Sequence, residues 1–231
     1  MSNLATTPLF GVMITVAVFQ LATLLSRRYR CALLNPAVVA MVVVIIILKL
    51  CHIPHHDYAR GGDMLLFLLG PAVVALGVPL YQRRREVITR LVPIVVGITA
   101  GAAVSIVTAC GIVLALGGSR ELALTVAPKS VTTPIAISIA TQIGAVVPLT
   151  AAVVVVTGCL GAIIGPQLCR MLGINDPAAM GLALGTASHG IGTGRMLEID
   201  LLGGTIAGLA IAINGIITAV LIPLLLPLLL P

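Results

Sequence analysis

Eight apolar runs, at about residues 8–26, 31–51, 64–82, 91–116, 122–143, 147–165, 178–197 and 203–229, fill most of this chain. Crossing a bilayer as a helix takes about 20 apolar residues, and runs of this length meet that need. Two stretches break the hydrocarbon: Ala127-Pro-Lys-Ser-Val-Thr-Thr-Pro134 and Gly185-Thr-Ala-Ser-His-Gly-Ile-Gly-Thr-Gly-Arg195. Each gathers hydroxyls, glycines or prolines and a cationic side chain. Lipid offers no partner to irregular backbone, so such segments must face protein or a water-filled cavity. They are where binding or passage is expected.

Composition supports the same class. The 231 residues are 59% hydrophobic and 9% charged, against about 25% charged in soluble domains. A transmembrane barrel would show short alternating segments rather than continuous runs. The expectation is an all-α polytopic membrane protein, one integral membrane domain over 1–231, with about 6–8 transmembrane or re-entrant helices, several broken by Pro or Gly.

The net charge of +6 does not point to nucleic acid, because seven of the thirteen basic residues sit in two clusters between apolar runs. These are Arg27, Arg28 and Arg30, then Arg83, Arg84, Arg85 and Arg90. Lys/Arg-rich loops mark the cytoplasmic side, which puts loops 26–30 and 82–90 there. The acidic loop holding Asp57 and Asp63 falls on the opposite face. The first run lacks the basic start of a cleaved signal peptide, so it reads as a retained helix with its N-terminus outside, opposite the basic loops. Tyr29, Tyr58 and Tyr81 lie at or beyond run ends, as tyrosines at a headgroup boundary do. The five cysteines, Cys31, Cys51, Cys110, Cys159 and Cys169, read as small packing residues.

Asn35-Pro36 opens the second run, Gly70-Pro71 interrupts the third, and Pro128 and Pro134 bracket the break in the fifth. The seventh run carries Gly181, Gly185, Gly190, Gly192 and Gly194, too many for an ordinary lipid-facing span. It reads as a half-length or re-entrant element lined by protein. A faint echo between residues 70–79 and 129–136 suggests repeat halves of about 1–118 and 119–231. Inverted repeats with discontinuous helices build many secondary transporters. Inversion here would need one element per half to be re-entrant or surface-lying.

Lys129 is the ionisable residue inside the fifth run, and a charge at membrane depth is a functional candidate by default. Ser130, Thr132 and Thr133 surround it with hydroxyls. The alternative is a lysine snorkelling to the interface from near Glu121. His189 stands beside Ser188 and ahead of Thr193. If the stretch is helical, Thr186, His189 and Thr193 share a face, and a histidine there could couple proton movement to transport. The plainer reading is a structural histidine. Arg195 is either a site residue or a boundary residue paired with Glu198 and Asp200. Asn35 is either a site amide or, more simply, a helix cap.

The run Cys51-His-Ile-Pro-His-His-Asp57 has metal-ligand residue types, yet it reads as a solvated extracytoplasmic loop, so no metal and no cofactor are expected. Carboxylates are missing from the middle of every apolar run, which disfavours a cation substrate. Cationic groups, hydroxyls and helix N-termini together suit an organic anion such as a carboxylate. With no His-Glu-x-x-His or similar motif, the chain is not expected to be an enzyme.

Leu124-Thr-Val-Ala-Pro-Lys-Ser-Val-Thr-Thr-Pro-Ile-Ala136 and Gly185-Thr-Ala-Ser-His-Gly-Ile-Gly-Thr193 closely resemble segments of the LrgB/CidB family of membrane proteins. Leu34-Asn-Pro36 and Leu69-Gly-Pro-Ala-Val-Val-Ala-Leu-Gly-Val-Pro-Leu-Tyr81 are similar to that pattern too, so the resemblance covers essentially the whole chain. It departs at Gly194-Arg195-Met196, where the family commonly has Ala-Arg-Ala; the arginine persists. The resemblance implies two competing functions. One is antiholin-like control of murein hydrolase export and autolysis. The other is carriage of small monocarboxylates of the glycolate, lactate, pyruvate or 3-hydroxypropionate type, since the plastid glycolate/glycerate translocator looks like a fusion of LrgA-like and LrgB-like parts. The resemblance also implies a small LrgA-type membrane partner, which the chain would serve as a carrier or as a non-transporting assembly subunit. A homo-oligomer is compatible with either.

Overall fold

The computed structural model describes residues 7–29, 34–82 and 84–230. Arg30, Cys31 and Arg83 lie outside the described residues. The elements are helices: α1 (Pro8–Tyr29), α2 (Pro36–Leu50), α3 (His55–Phe67), α4 (Leu69–Gln82), α5 (Arg84–Thr89), α6 (Leu91–Ala115), α7 (Arg120–Val126), α8 (Thr133–Ile143), α9 (Val147–Met171), α10 (Pro177–Ile199) and α11 (Leu201–Leu229). Among the described residues no strand forms, as the continuous apolar runs require. By length and composition α1, α6, α9 and α11 are each able to cross a membrane, and the protein is a membrane protein.

Packing divides the chain into two compact units, Met1–Val78 and Pro79–Pro231. In the first, α1 packs on α2 and α3. The crossing with α3 is close because it is glycine on glycine: a Cβ built on Gly11 would lie 2.9 Å from the Gly61 Cα. Val18, Ala22, Ala40 and Val44 form the small core between α1 and α2. The histidine-bearing stretch departs from the expected solvated loop. After Pro54 the chain turns helical at His55, and Asp57, in the favourable first turn, is buried. His55 and His56 remain exposed. The Tyr58 hydroxyl lies 2.9 Å from that of Thr15 on α1. The third run breaks at Leu68, so Pro71 sits in the first turn of α4, where a missing N–H costs nothing.

In the second unit a long helix followed by a broken element occurs twice, over 91–143 and over 147–199. The expected halves near 118/119 have a different span from this recurrence. Arg90, N-cap of α6, pairs with Asp176, N-cap of α10, at 3.1 Å, so both helices begin at one end of the unit. The start of α11 is there as well, since a Cβ on Gly203 would lie 2.7 Å from the Pro177 carbonyl oxygen. Element α10 therefore enters, breaks at Ser188–His189 and returns to the end it came from. Its arms fold together: a Cβ on Gly192 would stand 2.7 Å from the Leu184 carbonyl oxygen.

The α7–α8 pair does the same from the other end. Val146, just ahead of α9, donates to the Thr125 hydroxyl of α7 at 3.1 Å, and Thr150 of α9 donates to the Thr125 carbonyl at 3.0 Å. Arg120, Ile143 and Pro227 line one cleft there, so the start of α7, the end of α8 and the end of α11 are together. The two broken elements are hairpins pointing at each other from opposite ends.

Small residues permit this. Gly181 and Gly185 of α10 face Gly203 and Ala207 of α11, a small-xxx-small pair on each helix. A Cβ on Gly185 would reach 2.7 Å from the Ala207 Cα, so any larger residue would separate the backbones.

Candidate functional site

The hairpin tips meet on α11. Asn214 is 1% exposed, and its Nδ2 donates at 3.0 Å to the Ser130 carbonyl of one tip and at 3.0 Å to the Thr186 carbonyl beside the other. Broken helices leave carbonyls without intrahelical partners. One side-chain amide, with two donors, satisfies one carbonyl from each element. Thr218, one turn on, donates to the Asn214 Oδ1 at 3.3 Å and orients the amide.

The first tip, residues 127–132, is a turn between two short helices. Ser119 caps the start of α7 through a bond from the Leu122 N–H at 3.2 Å. Pro134 sits in the first turn of α8, where proline is pre-organised for the helix. Thr132 takes the N-cap position of α8 without a side-chain cap bond, so N–H groups of that first turn stay open toward the tip. Thr133 is the first helical residue and is half-buried. Lys129 turns to neighbouring hydroxyls. Its Nζ lies 2.9 Å from the Ser105 hydroxyl of α6 and 3.1 Å from the Ser130 hydroxyl, and the two hydroxyls are 2.8 Å apart. This ammonium, half-buried at a helix break, is held by neutral hydroxyls alone among the described residues. An ammonium desolvated without a carboxylate partner favours any anion that approaches it.

At the second tip, helical geometry fails at Ser188 (φ −131°, ψ 15°) and His189 (φ 41°, ψ −135°). The one-face arrangement of Thr186, His189 and Thr193 that a continuous helix would give is therefore absent. The physical reason is the return of the chain, which needs a residue with positive φ at the turn. Thr193 donates to the His189 carbonyl at 3.0 Å, closing the first turn of the returning arm. The imidazole Nε2 is 3.0 Å from the Val154 carbonyl oxygen of α9. Gly158 and Gly161 of α9 make room for the tip: a Cβ on Gly158 would lie 2.6 Å from the imidazole Cε1, and one on Gly161 would overlap the Ser188 hydroxyl.

The expected residues therefore divide. Lys129 and Ser130 converge with the second element through Asn214. Ser188, His189 and Thr193 are buried at the second tip, but His189 is turned to α9 while Lys129 is turned to α6. Arg195 pairs with Glu198 at 2.7 Å, as a boundary residue would. Asn35 caps α2, accepting from Ala37 and Val38 at 3.0 and 3.3 Å, and belongs to the other unit. Sequence reasoning missed Asn214 and Ser105. A lone amide inside the 203–229 run was a readable signal for the first. Ser105, among small apolar neighbours, offered none.

These features define a class: a helical membrane protein whose buried polar residues gather where two opposed hairpins meet. The chain belongs to the LrgB-like family, whose model matches residues 15–228. It is 30% identical over 211 residues to the holin-like protein CidB of Staphylococcus epidermidis, covering 91% of this chain and 92% of that one. It is 29% identical over 214 residues to CidB of Staphylococcus aureus, 93% of each chain. With the uncharacterized protein YxaC of Bacillus subtilis it shares 35% identity over 187 residues, 81% of each. No solved structure matches it.

Proposed function

We propose that the protein is a carrier, or carrier subunit, for small monocarboxylates of the 2-hydroxy or 2-oxo type. The observation that carries this reading is the pair of hydrogen bonds from Asn214 to the two hairpin tips, beside an ammonium that, among the described residues, is held only by hydroxyls. Discontinuous helices meeting inside a membrane unit place open N–H groups and carbonyls where a substrate sits. Lys129, with Ser105, Ser130 and the open first turn of α8 near Thr132 and Thr133, is the group that would take a carboxylate. Ser188, His189 and Thr193 would complete the second tip, with His189 acting through its backbone turn. A small LrgA-type membrane protein is the proposed partner, in a bacterial inner membrane.

The names of the relatives favour a different reading. Holin-like is the printed description of the CidB proteins, and on names alone a regulator of murein hydrolase export and autolysis stands ahead of a carrier. A lesion-forming oligomer, however, has no need for opposed hairpins joined by one buried amide. Uptake of labelled pyruvate, glycolate or lactate into proteoliposomes separates the two. The carrier reading expects Lys129→Ala to fold normally and lose flux. Unchanged flux with altered autolysis in cells carrying Lys129→Ala would establish the holin-like reading instead.

A further inference from the structure

Thr186 has a hydroxyl that none of the described residues uses. It is 7% exposed, and among the described residues its Oγ1 is the buried side-chain oxygen or nitrogen that lacks a hydrogen-bond partner. The omission is unusual within this chain. Thr99, Thr108, Thr141 and Thr205, all in helices, each donate to the carbonyl four residues back, at 2.8, 2.6, 2.9 and 2.7 Å. That bond is the ordinary resting place of a threonine hydroxyl in an apolar helix. Thr186 makes no such bond to Leu182, and its carbonyl is already bound by Asn214.

The location gives the idle hydroxyl a purpose. The Thr186 Cγ2 faces α6 at Gly101, where an added Cβ would lie 3.2 Å away. Gly101 and Ser105 are four residues apart on α6, hence neighbours on one face, ~6 Å apart. Ser105 holds Lys129. Thr186 therefore stands about one helical turn along α6 from the ammonium, and the Asn214 amide ties the Thr186 and Ser130 backbones together at that level.

We propose that the Thr186 hydroxyl binds the oxygen on C2 of the carried acid while Lys129 holds its carboxylate, so that Thr186 selects 2-hydroxy and 2-oxo acids over simple fatty acids. This rests on the carrier reading and adds a selectivity residue to it. Gly101 is the complementary element: with no side chain, it lets Thr186 approach α6. An unsatisfied buried hydroxyl is costly in the empty protein and gains a partner when substrate arrives. A propionate molecule, lacking the C2 oxygen, leaves it unsatisfied.

The test compares lactate with propionate in counterflow assays on proteoliposomes of the full-length protein, using wild type, Thr186→Val and Thr186→Ser. Wild type is expected to favour lactate by roughly ten- to a hundredfold, the usual effect of one buried hydrogen bond left unmade. Thr186→Val, close to isosteric, should lower that ratio to near one through loss of lactate flux, with a Tm equal to or above wild type. Thr186→Ser should keep the preference. A lactate preference undiminished in Thr186→Val overturns the assignment, as does equal loss of both fluxes in Thr186→Val and Thr186→Ser. Absence of saturable flux for either acid in wild type overturns the reading of this chain as a carrier by itself, an outcome distinct from the other two.

Discussion

Replacing Asn214 with leucine keeps the volume of the side chain on α11 and deletes the amide that joins the hairpins. Two bonds of 3.0 Å disappear, to the carbonyls of Ser130 and Thr186, together with the weaker 3.3 Å contact from Thr218. Interhelical hydrogen bonds in membrane proteins average ~0.6 kcal/mol and reach ~1.7 kcal/mol. Losing two of them costs about 1 kcal/mol at the mean and about 3 kcal/mol at the upper end. The site argues for the upper half of that range, because the residues carrying both carbonyls, Ser130 and Thr186, are 6% and 7% exposed and water has little access to replace the donor. Reversible unfolding in mixed micelles of increasing SDS fraction measures the difference directly. Asn214→Asp should fall further than Asn214→Leu, since it offers two carbonyls an acceptor where a donor stood. Thr218→Val should fall least. A loss under about 0.3 kcal/mol in Asn214→Leu would refute the view that this amide holds the tips together.

Three further outcomes follow from the same geometry. Gly161→Ala, whose Cβ would collide with Ser188, and Gly158→Ala, whose Cβ would lie 2.6 Å from the His189 ring, should each destabilise by about 1–3 kcal/mol, whereas Gly111→Ala, with open space around it, should not; the same SDS titration reads all three. At residue 189, with φ 41°, glycine should be tolerated better than alanine although both lose the bond to Val154, the reverse of the usual helix ranking, and a His189→Ala variant as stable as His189→Gly would refute the strained turn. Asp176→Ala removes both the cap on the Ala178 N–H and the pair with Arg90, so it should cost about 1 kcal/mol or more, while Arg90→Ala, which removes only an ion pair half-exposed on both sides, should cost a few tenths and less in high salt.

Much of this protein was legible in its residues. Runs of hydrocarbon about 20 residues long leave no alternative to helices in lipid, because every backbone group must be paired within its own segment. The same argument pointed to the two breaks, where hydroxyls and a cation join the prolines or glycines; proline alone does not decide it, since Pro166, Pro223 and Pro227 stay inside α9 and α11. Local chemistry was legible as well: Asn35 as the cap of α2 and Arg195 beside Glu198 are interactions between near neighbours in sequence. The reading of His55–Asp57 as loop was misled by polarity, because burial of Asp57 depends on where α3 packs.

Which residues share a site was a question of another kind. Lys129, Ser105, Thr186 and Asn214 are separated by between 24 and 84 residues along the bonds that link them. Nothing in a linear pattern states that a hairpin entering from one end and a hairpin entering from the other stop at the same level of α11. That level is decided by glycine contacts, Gly181 and Gly185 of α10 against α11 and Gly158 and Gly161 of α9 against the second tip, which let backbones approach until their carbonyls share one amide. The direction of each side chain was settled there too, sending His189 toward α9 and Lys129 toward α6. Hydropathy is a property of each segment alone and so determined the class of structure, whereas the site is a property of close packing between segments, which exists only once they are assembled.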